Sequence, residues 1–267
     1  MKRPFASSAP GPFRADQLRS KDPYELHNGH AIRLSPTGGQ GSGANLVGGA
    51  VILSDPAVQN AGVDAGFTPN AGTLRAPDVA VLPVNPGPGW VPGVPPLAVE
   101  YAGPGQDEER LREKIDDLLQ HGTRYVWVVR MGAIPFVEVW RPDAEPMIAR
   151  AGEELTAPGV LANGVPVEAL WSKDASERVI LRNMLQRFGY RDLDAVREEG
   201  REEGREEGRE EGREEGREEG SIEALRAAGR AAAGTLTNEQ EARLRAERDV
   251  GVLTSWMIAA ARGRAWG

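Results

Sequence analysis

The stretch LRAPDVAVLPVNPGPGWVPGVPPLAVEYAGPGQDEERLREK, residues 74–114, decides the fold that this chain can adopt. It holds two short apolar runs, 79–83 and 97–101, separated by a segment rich in Pro and Gly. Apolar runs bounded by turn-forming residues predict β-strands. Further along, Leu111, Ile115 and Leu118 recur at the spacing of one helix face. The stretch therefore predicts two strands followed by an amphipathic helix over 106–121.

The same signals continue on both sides of this stretch. Further strands are predicted at 31–34, 125–129 and 137–140. A short helix is predicted over 13–18, and a buried helix over 42–58 in spite of its internal glycines. Strands interleaved with helices predict an α/β fold, with a mixed central sheet flanked by helices.

A C-terminal extension follows the predicted folded domain, which covers residues 13–172. The segment 173–196 predicts a helix that docks on this domain, and Asp174 and Glu177 stand there at capping-box spacing. Beyond it, the extension is predicted to be charged, and either helical or disordered.

Residues 197–220 are six consecutive Arg-Glu-Glu-Gly units. A four-residue repeat winds around a helix without a continuous apolar seam, and each Gly costs a helix about 1 kcal/mol. This segment therefore predicts a solvated, fraying helix or disorder. Residues 221–267 predict a helical tail that could pair with a partner or a second copy, with Thr237 and Gln240 as a capping box.

Composition excludes several classes of protein. The 267 residues include no cysteine and only three histidines, which excludes disulfide frameworks and argues against a zinc cluster. The N-terminal segment lacks the apolar core of a signal peptide, and no window approaches the ~20 apolar residues of a membrane span. We therefore expect a cytoplasmic protein with no membrane partner. The net charge is −8, but each repeat unit contributes −1, so the remainder is nearly neutral and nucleic-acid binding stays open.

Two carboxylates carry the chemistry that this sequence suggests. Alternation along the strand 97–101 separates Glu100 from the apolar face of Leu97 and Val99. A buried carboxylate needs a cation or an opening to water. Asp78 stands at the start of the neighbouring predicted strand. Two carboxylates from adjacent strands can converge on one Mg²⁺ that retains several waters.

Lys114 is the third member of this group. It lies at the border of the apolar stripe of its helix, so its amine can reach over the sheet edge toward the carboxylates. A lysine beside a metal-activated water can orient that water, and its charge stabilises a phosphodiester transition state. The plainer interpretation is also open, since a strand glutamate can lie on a sheet edge and a helical lysine is usually only solvated.

The chain resembles the Uma-type family of restriction endonucleases in the PD-(D/E)XK superfamily. The resemblance extends from about Ala15 to Trp171 and rests on ordered blocks with suitable spacing. These blocks are YELHNG (24–29), SPTGG (35–39), LRAPDVA (74–80), PLAVE (96–100), LREK (111–114), YVWVV (125–129) and LTAPGVL (155–161). It implies a restriction-endonuclease-like core, a Mg²⁺ site formed by Asp78 and Glu100 in which Mn²⁺ can substitute, and Lys114 as the catalytic lysine. It also implies that Glu25 completes the site.

One departure affects the position of the lysine. The superfamily usually places it two residues after the strand glutamate, where this chain has Ala102. The lysine must therefore come from the following helix, as the family's own pattern suggests.

The leading hypothesis is a Mg²⁺-dependent DNA endonuclease that hydrolyses phosphodiester bonds through a metal-activated water. Arg75, Arg110, Arg112 and Arg124 are candidate phosphate contacts. The alternative is a catalytically silent nuclease-fold scaffold, in which the C-terminal tail mediates homodimer formation or protein-partner binding.

Overall fold

The computed structural model describes residues 11–20, 22–105 and 107–264 of the chain. It divides into two compact units, Met1–Asp192 and Leu193–Gly267. The predicted start of the helix at Gln106 lies outside the described residues, as do the last three residues of the predicted tail.

Among the described residues, the first unit contains the strands, three α-helices and two short 3-10 turns. Its α-helices are α1 (Gly39–Ser54), α2 (Glu108–Gln120) and α3 (Lys173–Arg187), and the turns are Ala15–Gln17 and Val167–Leu170. Its strands are β1 (Tyr24–His27), β2 (His30–Arg33), β3 (Ala61–Val63), β4 (Phe67–Asn70), β5 (Thr73–Arg75), β6 (Val79–Val81), β7 (Val91–Pro92), β8 (Leu97–Ala102), β9 (Tyr125–Arg130), β10 (Phe136–Trp140), β11 (Met147–Arg150), β12 (Glu154–Leu155) and β13 (Val165–Pro166).

The central sheet has the strand order β11-β10-β9-β8-β6-β3. The pair β8 and β9 is parallel, and the other neighbours are antiparallel. A parallel pair needs a crossover connection, which α2 provides here. The predicted α/β fold with a mixed sheet is therefore confirmed.

Helices cover both faces of this sheet. Val99 and Trp127 belong to a core that also holds Val51 and Ile52 of α1. Ala98, the neighbour of Val99 along β8, belongs instead to a core with apolar residues of α2. Alternation along β8 therefore points successive side chains into two cores, as the strand pattern predicts.

A second sheet has the order β2-β1-β5-β4-β7, and β12 pairs with β13 separately. Its strand β1 supplies Glu25 and its strand β5 ends at Arg75. Only two residues separate Arg75 from Asp78, so the charged residues Glu25 and Arg75 of this second sheet lie close to the start of β6.

Helix α3 docks on α1 through polar contacts at the end of α1. Asn183 Nδ2 donates a hydrogen bond to Ser54 Oγ at 2.9 Å. Arg187 donates to the backbone carbonyls of Leu53, Ser54, Asp55 and Val58. These bonds satisfy carbonyl groups that a helix end leaves without partners, and the cation complements the negative end of the helix dipole.

Two details of the α3 prediction need correction. The N-cap is Ser172, with no side-chain cap hydrogen bond, so Asp174 and Glu177 do not form the expected capping box. The helix also ends at Arg187, and residues from Leu193 onward belong to the next helix, so the docking helix is shorter than the predicted 173–196.

The second unit is helical. Helix α4 (Leu193–Ala233) runs through the whole Arg-Glu-Glu-Gly repeat, whose residues are all exposed, and is followed by α5 (Asn238–Ala246) and α6 (Val250–Ala261). The repeat therefore takes the solvated-helix alternative. Thr237 and Gln240 form the predicted capping box. A small apolar core of this unit consists of Ile222, Leu244, Leu253 and Ala260. Within the described ranges, no helix combines the length and hydropathy needed to cross a membrane.

Gly48 of α1 allows this helix to approach β8 closely. A Cβ atom at this position would overlap Tyr101 Oη, which donates a hydrogen bond to the Leu170 carbonyl at 2.7 Å. We expect Gly48→Ala to lower the free energy of unfolding by about 1 to 3 kcal/mol through overpacking. Gly43, on the same helix, faces open space, so Gly43→Ala should instead raise stability by up to about 1 kcal/mol. Urea denaturation measures the free energy of unfolding of both variants. Equal changes in the two variants would contradict the close approach of α1 to β8.

Candidate active site

Three acidic residues stand side by side across neighbouring strands of the central sheet. Strand β6 pairs Val79 with Val99 of β8, and continuing this antiparallel register by one residue places Asp78 opposite Glu100. Opposite residues in an antiparallel pair have Cβ atoms about 4.5 to 5.5 Å apart. Asp64 follows directly after β3, and its amide lies 3.4 Å from the Asp78 carbonyl. Strand pairing therefore brings together an acidic row of three residues that are distant in sequence, Asp64, Asp78 and Glu100.

Asp78 is held from two elements. Its Oδ2 accepts a hydrogen bond of 2.6 Å from the Tyr101 amide, and its Oδ1 accepts one of 3.2 Å from Asn45 Nδ2 of α1. Donors on both oxygens fix the orientation of this side chain.

Lys114 reaches from α2 into the same place. Its Nζ lies 2.8 Å from Glu100 Oε1 and 3.1 Å from Glu25 Oε1, and it donates to the Ala76 carbonyl at 2.8 Å. Its side chain is only 13% exposed. The structure therefore brings Glu25, Glu100 and Lys114 into direct contact, with Asp78 one strand away from Glu100.

Glu25 is fixed by a buried ionic network. Its Oε1 accepts from the Ala76 amide at 3.0 Å, and its Oε2 accepts from Arg75 at 3.1 Å. Arg75 is 2% exposed and also donates to Asp117 Oδ2 at 2.7 Å. His27 Nδ1 lies 2.8 Å from the same Asp117 oxygen. Each buried charge in this network therefore has an opposite charge, which offsets its cost of desolvation.

The network gives Arg75 a structural role. Its guanidinium contacts Glu25 and Asp117, and the residue also lines the cavity described below, so its role as a phosphate contact stays a prediction. Sequence reasoning also missed Asp117, whose place on the polar side of an amphipathic helix gives no sign of burial. Arg110 does line the cavity described below, whereas Arg112 stacks over the Trp140 ring at 4.2 Å and Arg124 donates to the Gly159 carbonyl.

Glu100 has one carboxylate oxygen without a hydrogen bond. The residue is 6% exposed, and Lys114 donates to Oε2 at 3.0 Å. Oε1 lies closer to the ammonium but outside hydrogen-bond alignment, and it is buried without another partner. The pKa of Glu100 is raised to about 8, chiefly by burial; the Lys114 charge opposes this shift, and the charges of Asp78 and Glu25 add to it. Burial alone would lower the pKa of Lys114, but the carboxylates of Glu100, Glu25 and Asp78 raise it overall.

These residues line a cavity of about 730 Å³. Asp64, Asp78, Glu100 and Lys114 form part of its wall, and Arg33 and Arg110 also line it. The segment at the start of α1, residues 35–39, lines another side. The cavity therefore combines acidic groups with cationic side chains that can meet phosphate.

Asp64 is the cavity residue that sequence reasoning missed. Its pKa is raised, by partial burial and then by the neighbouring Asp78 and Glu25, while Lys114 opposes the shift. The stretch Val63-Asp64-Ala65-Gly66 looks like an ordinary turn in sequence. Only the pairing of β3 with β6 shows that this aspartate belongs to the acidic row.

The residues present fit a divalent cation. The cavity is lined by five acidic side chains and four basic ones: Glu25, Asp64, Asp78, Glu100 and Asp107 against Arg33, Arg75, Arg110 and Lys114. Glu100 Oε1 lies 2.8 Å from the Lys114 ammonium without an aligned hydrogen bond, and Mg²⁺ commonly binds through one or two carboxylates while keeping its waters. Across residues 11–20, 22–105 and 107–264, no three His, Cys, Asp or Glu side chains form a metal-binding group by themselves. Asp78 and Glu100 are therefore the residues that could hold it.

The mixed central sheet with helices on both faces has the restriction-endonuclease-like fold that the sequence predicts. The chain belongs to the Uma2 family, described as "Putative restriction endonuclease", whose family model matches residues 13–168. It is also similar to a crystal structure described as a putative nuclease belonging to DUF820 from Anabaena variabilis. That similarity has a TM-score of 0.52 and 21% identity, and it covers 60% of this chain and 98% of the other. No curated protein matches the chain.

The pKa of Glu100 predicts how stability depends on pH in metal-free protein. The folded state holds the Glu100 proton up to a pH of about 8, whereas an unfolded glutamate releases it near its ordinary value of 4.5. Between these values the folded state binds more protons, so stability falls as pH rises, by on the order of a few kcal/mol.

Thermal unfolding in EDTA between pH 5 and pH 8 measures this slope. We expect Glu100→Gln to flatten it, because the amide does not titrate, and the exposed Glu109→Gln on α2 to retain it. An unchanged slope in Glu100→Gln would contradict the burial of this carboxylate.

Proposed function

We propose that this protein is a Mg²⁺-dependent DNA endonuclease, with Asp78, Glu100, Lys114 and Glu25 as its active site and Mn²⁺ able to replace Mg²⁺. The observation that supports this most is the convergence of Lys114 on Glu100 and Glu25, beside Asp78, in one cavity. Membership of a family described as restriction endonucleases supports nuclease chemistry and a DNA substrate.

Asp78 and Glu100 would hold the cation, which when bound supplies Lewis-acid stabilisation of the phosphate and lowers the pKa of water. The hydrogen bonds from Tyr101 and Asn45 keep Asp78 oriented before the cation arrives. Preorganised ligands of this kind avoid a cost of reorganisation during the reaction.

Lys114 contributes charge to the transition state. The surrounding carboxylates raise its pKa, so it stays an ammonium throughout the physiological range. As an ammonium it can donate hydrogen bonds to a phosphate oxygen or to the attacking water, and its charge opposes the negative charge that develops on the phosphodiester. It does not serve as the general base in this state.

Glu25 positions Lys114 instead of acting on the substrate directly. It accepts a contact from Nζ while Arg75 and the Ala76 amide hold it in place. These contacts hold the ammonium of Lys114 on the side of the cavity where Glu100 lies.

The site also favours a nuclease over a silent scaffold. A scaffold does not need a buried lysine shared between two buried carboxylates, and burial of these charges costs stability without a functional return. We propose that the second unit is an accessory module of this nuclease, because none of the four site residues belongs to it.

Incubation of supercoiled plasmid with the full chain tests the proposal. We expect nicking and linearisation with Mg²⁺ or Mn²⁺, and none with EDTA. Lys114→Met should remove the cleavage while circular dichroism shows a folded protein. Absence of cleavage by the folded wild-type chain with either metal would reject the enzyme and leave the scaffold hypothesis.

A further inference from the structure

Asp64, in the bend between β3 and β4, adopts a backbone conformation that few residues other than glycine adopt. Its φ is +53°, in the left-handed region, where an L-residue with a Cβ atom is disfavoured relative to glycine. Aspartate tolerates this region better than most residues but still carries strain there. An unfavourable conformation at a cavity wall is a reason to ask what the side chain does.

The position of Asp64 gives an answer. The Asp64 amide lies 3.4 Å from the Asp78 carbonyl, and the residue is exposed and lines the same cavity as Asp78, Glu100 and Lys114. Its carboxylate therefore adds negative charge to the cavity wall beside Asp78.

We propose that Asp64 is a positioning residue for the divalent cation of the proposed nuclease, acting through the waters that the cation retains. The inference rests on the proposed function. It also requires a cation between Asp78 and Glu100, and both of these residues line the cavity that Asp64 lines.

An indirect role fits the geometry better than direct coordination. No group of three carboxylate or imidazole side chains in the described part of the chain converges on one point, so Asp64 is not a ready third ligand. Mg²⁺ bound by one or two carboxylates keeps several waters, and those waters need acceptors. An exposed carboxylate one strand beyond Asp78 can accept hydrogen bonds from them and adds negative charge to the site.

The test is to measure stability and metal affinity separately in Asp64→Gly. Glycine relieves the left-handed strain and removes one like charge, so thermal unfolding in EDTA should shift upward by about 2 to 4 °C. Affinity for Mn²⁺, measured without DNA by electron paramagnetic resonance of the free ion, should fall by about 10-fold, the loss typical of an outer-shell partner. If Asp64 had a merely structural role, the glycine variant would not combine a higher unfolding temperature with a lower affinity for Mn²⁺.

Asp143 provides a matched control. It has nearly the same backbone strain, with φ +55°, but it does not line this cavity. Asp143→Gly should raise the unfolding temperature similarly and leave Mn²⁺ affinity unchanged. Asp64→Asn, which also tolerates positive φ, should weaken Mn²⁺ binding and guards against a folding defect of the glycine variant.

The outcomes separate this inference from the proposed function. If wild-type protein binds Mn²⁺ and cleaves DNA but both Asp64 variants bind Mn²⁺ as tightly as wild type, only the role of Asp64 is wrong. If the wild-type chain neither binds Mn²⁺ nor cleaves DNA, the proposed function and the role of Asp64 fall together.

Discussion

Asp78→Asn should reduce Mg²⁺-dependent plasmid cleavage by at least about 10³-fold while leaving the fold intact, because the amide cannot contribute negative charge to a cation. The amide retains the size of the carboxylate, and its oxygen can still accept the hydrogen bond from the Tyr101 amide. The expected loss is therefore chemical and not structural. Initial rates of plasmid nicking, with unfolding temperatures of the same preparations, measure it.

The double variant Asp78→Asn with Lys114→Met sharpens this test. When residues act as one catalytic unit, the losses of activity caused by their single substitutions do not add. The double variant should therefore be only slightly less active than the less active of the two single variants. Asp116→Asn, at a partly exposed position on α2 where Asp116 pairs with Arg112, is the control and should cleave normally. Equal activity of Asp78→Asn and Asp116→Asn would remove Asp78 from the active site.

Arg75→Met should cost the largest amount of stability of any single substitution discussed, about 3 to 5 kcal/mol. The change leaves Glu25 and Asp117 buried with fewer opposite charges, since Arg75 is 2% exposed and contacts both carboxylates. Methionine fills much of the volume, so the loss reports the uncompensated charges and not a cavity. Urea denaturation at neutral pH measures it.

Arg110→Met provides the matched comparison. Arg110 pairs with Asp107, but both side chains are more than half exposed, at 60% and 53%. Exposed pairs of this kind contribute about 0 to 1 kcal/mol because water screens the charges. If the two arginine variants unfold at the same urea concentration, the buried network does not stabilise the fold in the way its contacts indicate.

Local patterns in the sequence determined the secondary structure around the site. Alternation along residues 97–101 separates Val99 from Ala98 and Glu100, and the two faces of β8 do enter different cores. The spacing of Leu111, Ile115 and Leu118 predicts α2, and with it the side from which Lys114 approaches. The capping box of Thr237 and Gln240 is likewise a contact between residues three positions apart. These features follow from sequence because their periodicity involves near neighbours along the chain.

The partners of those residues were decided by the tertiary structure. Arg75 meets Glu25 across 50 positions and Asp117 across 42, and nothing in the local sequence distinguishes a buried arginine from a solvated one. Asp64 joins Asp78 only because β3 pairs with β6 in a particular register, and a shift of one residue would turn every side chain of β3 to the other face. Strand register and the burial of charge depend on packing between distant segments, which periodicity along a single segment does not encode.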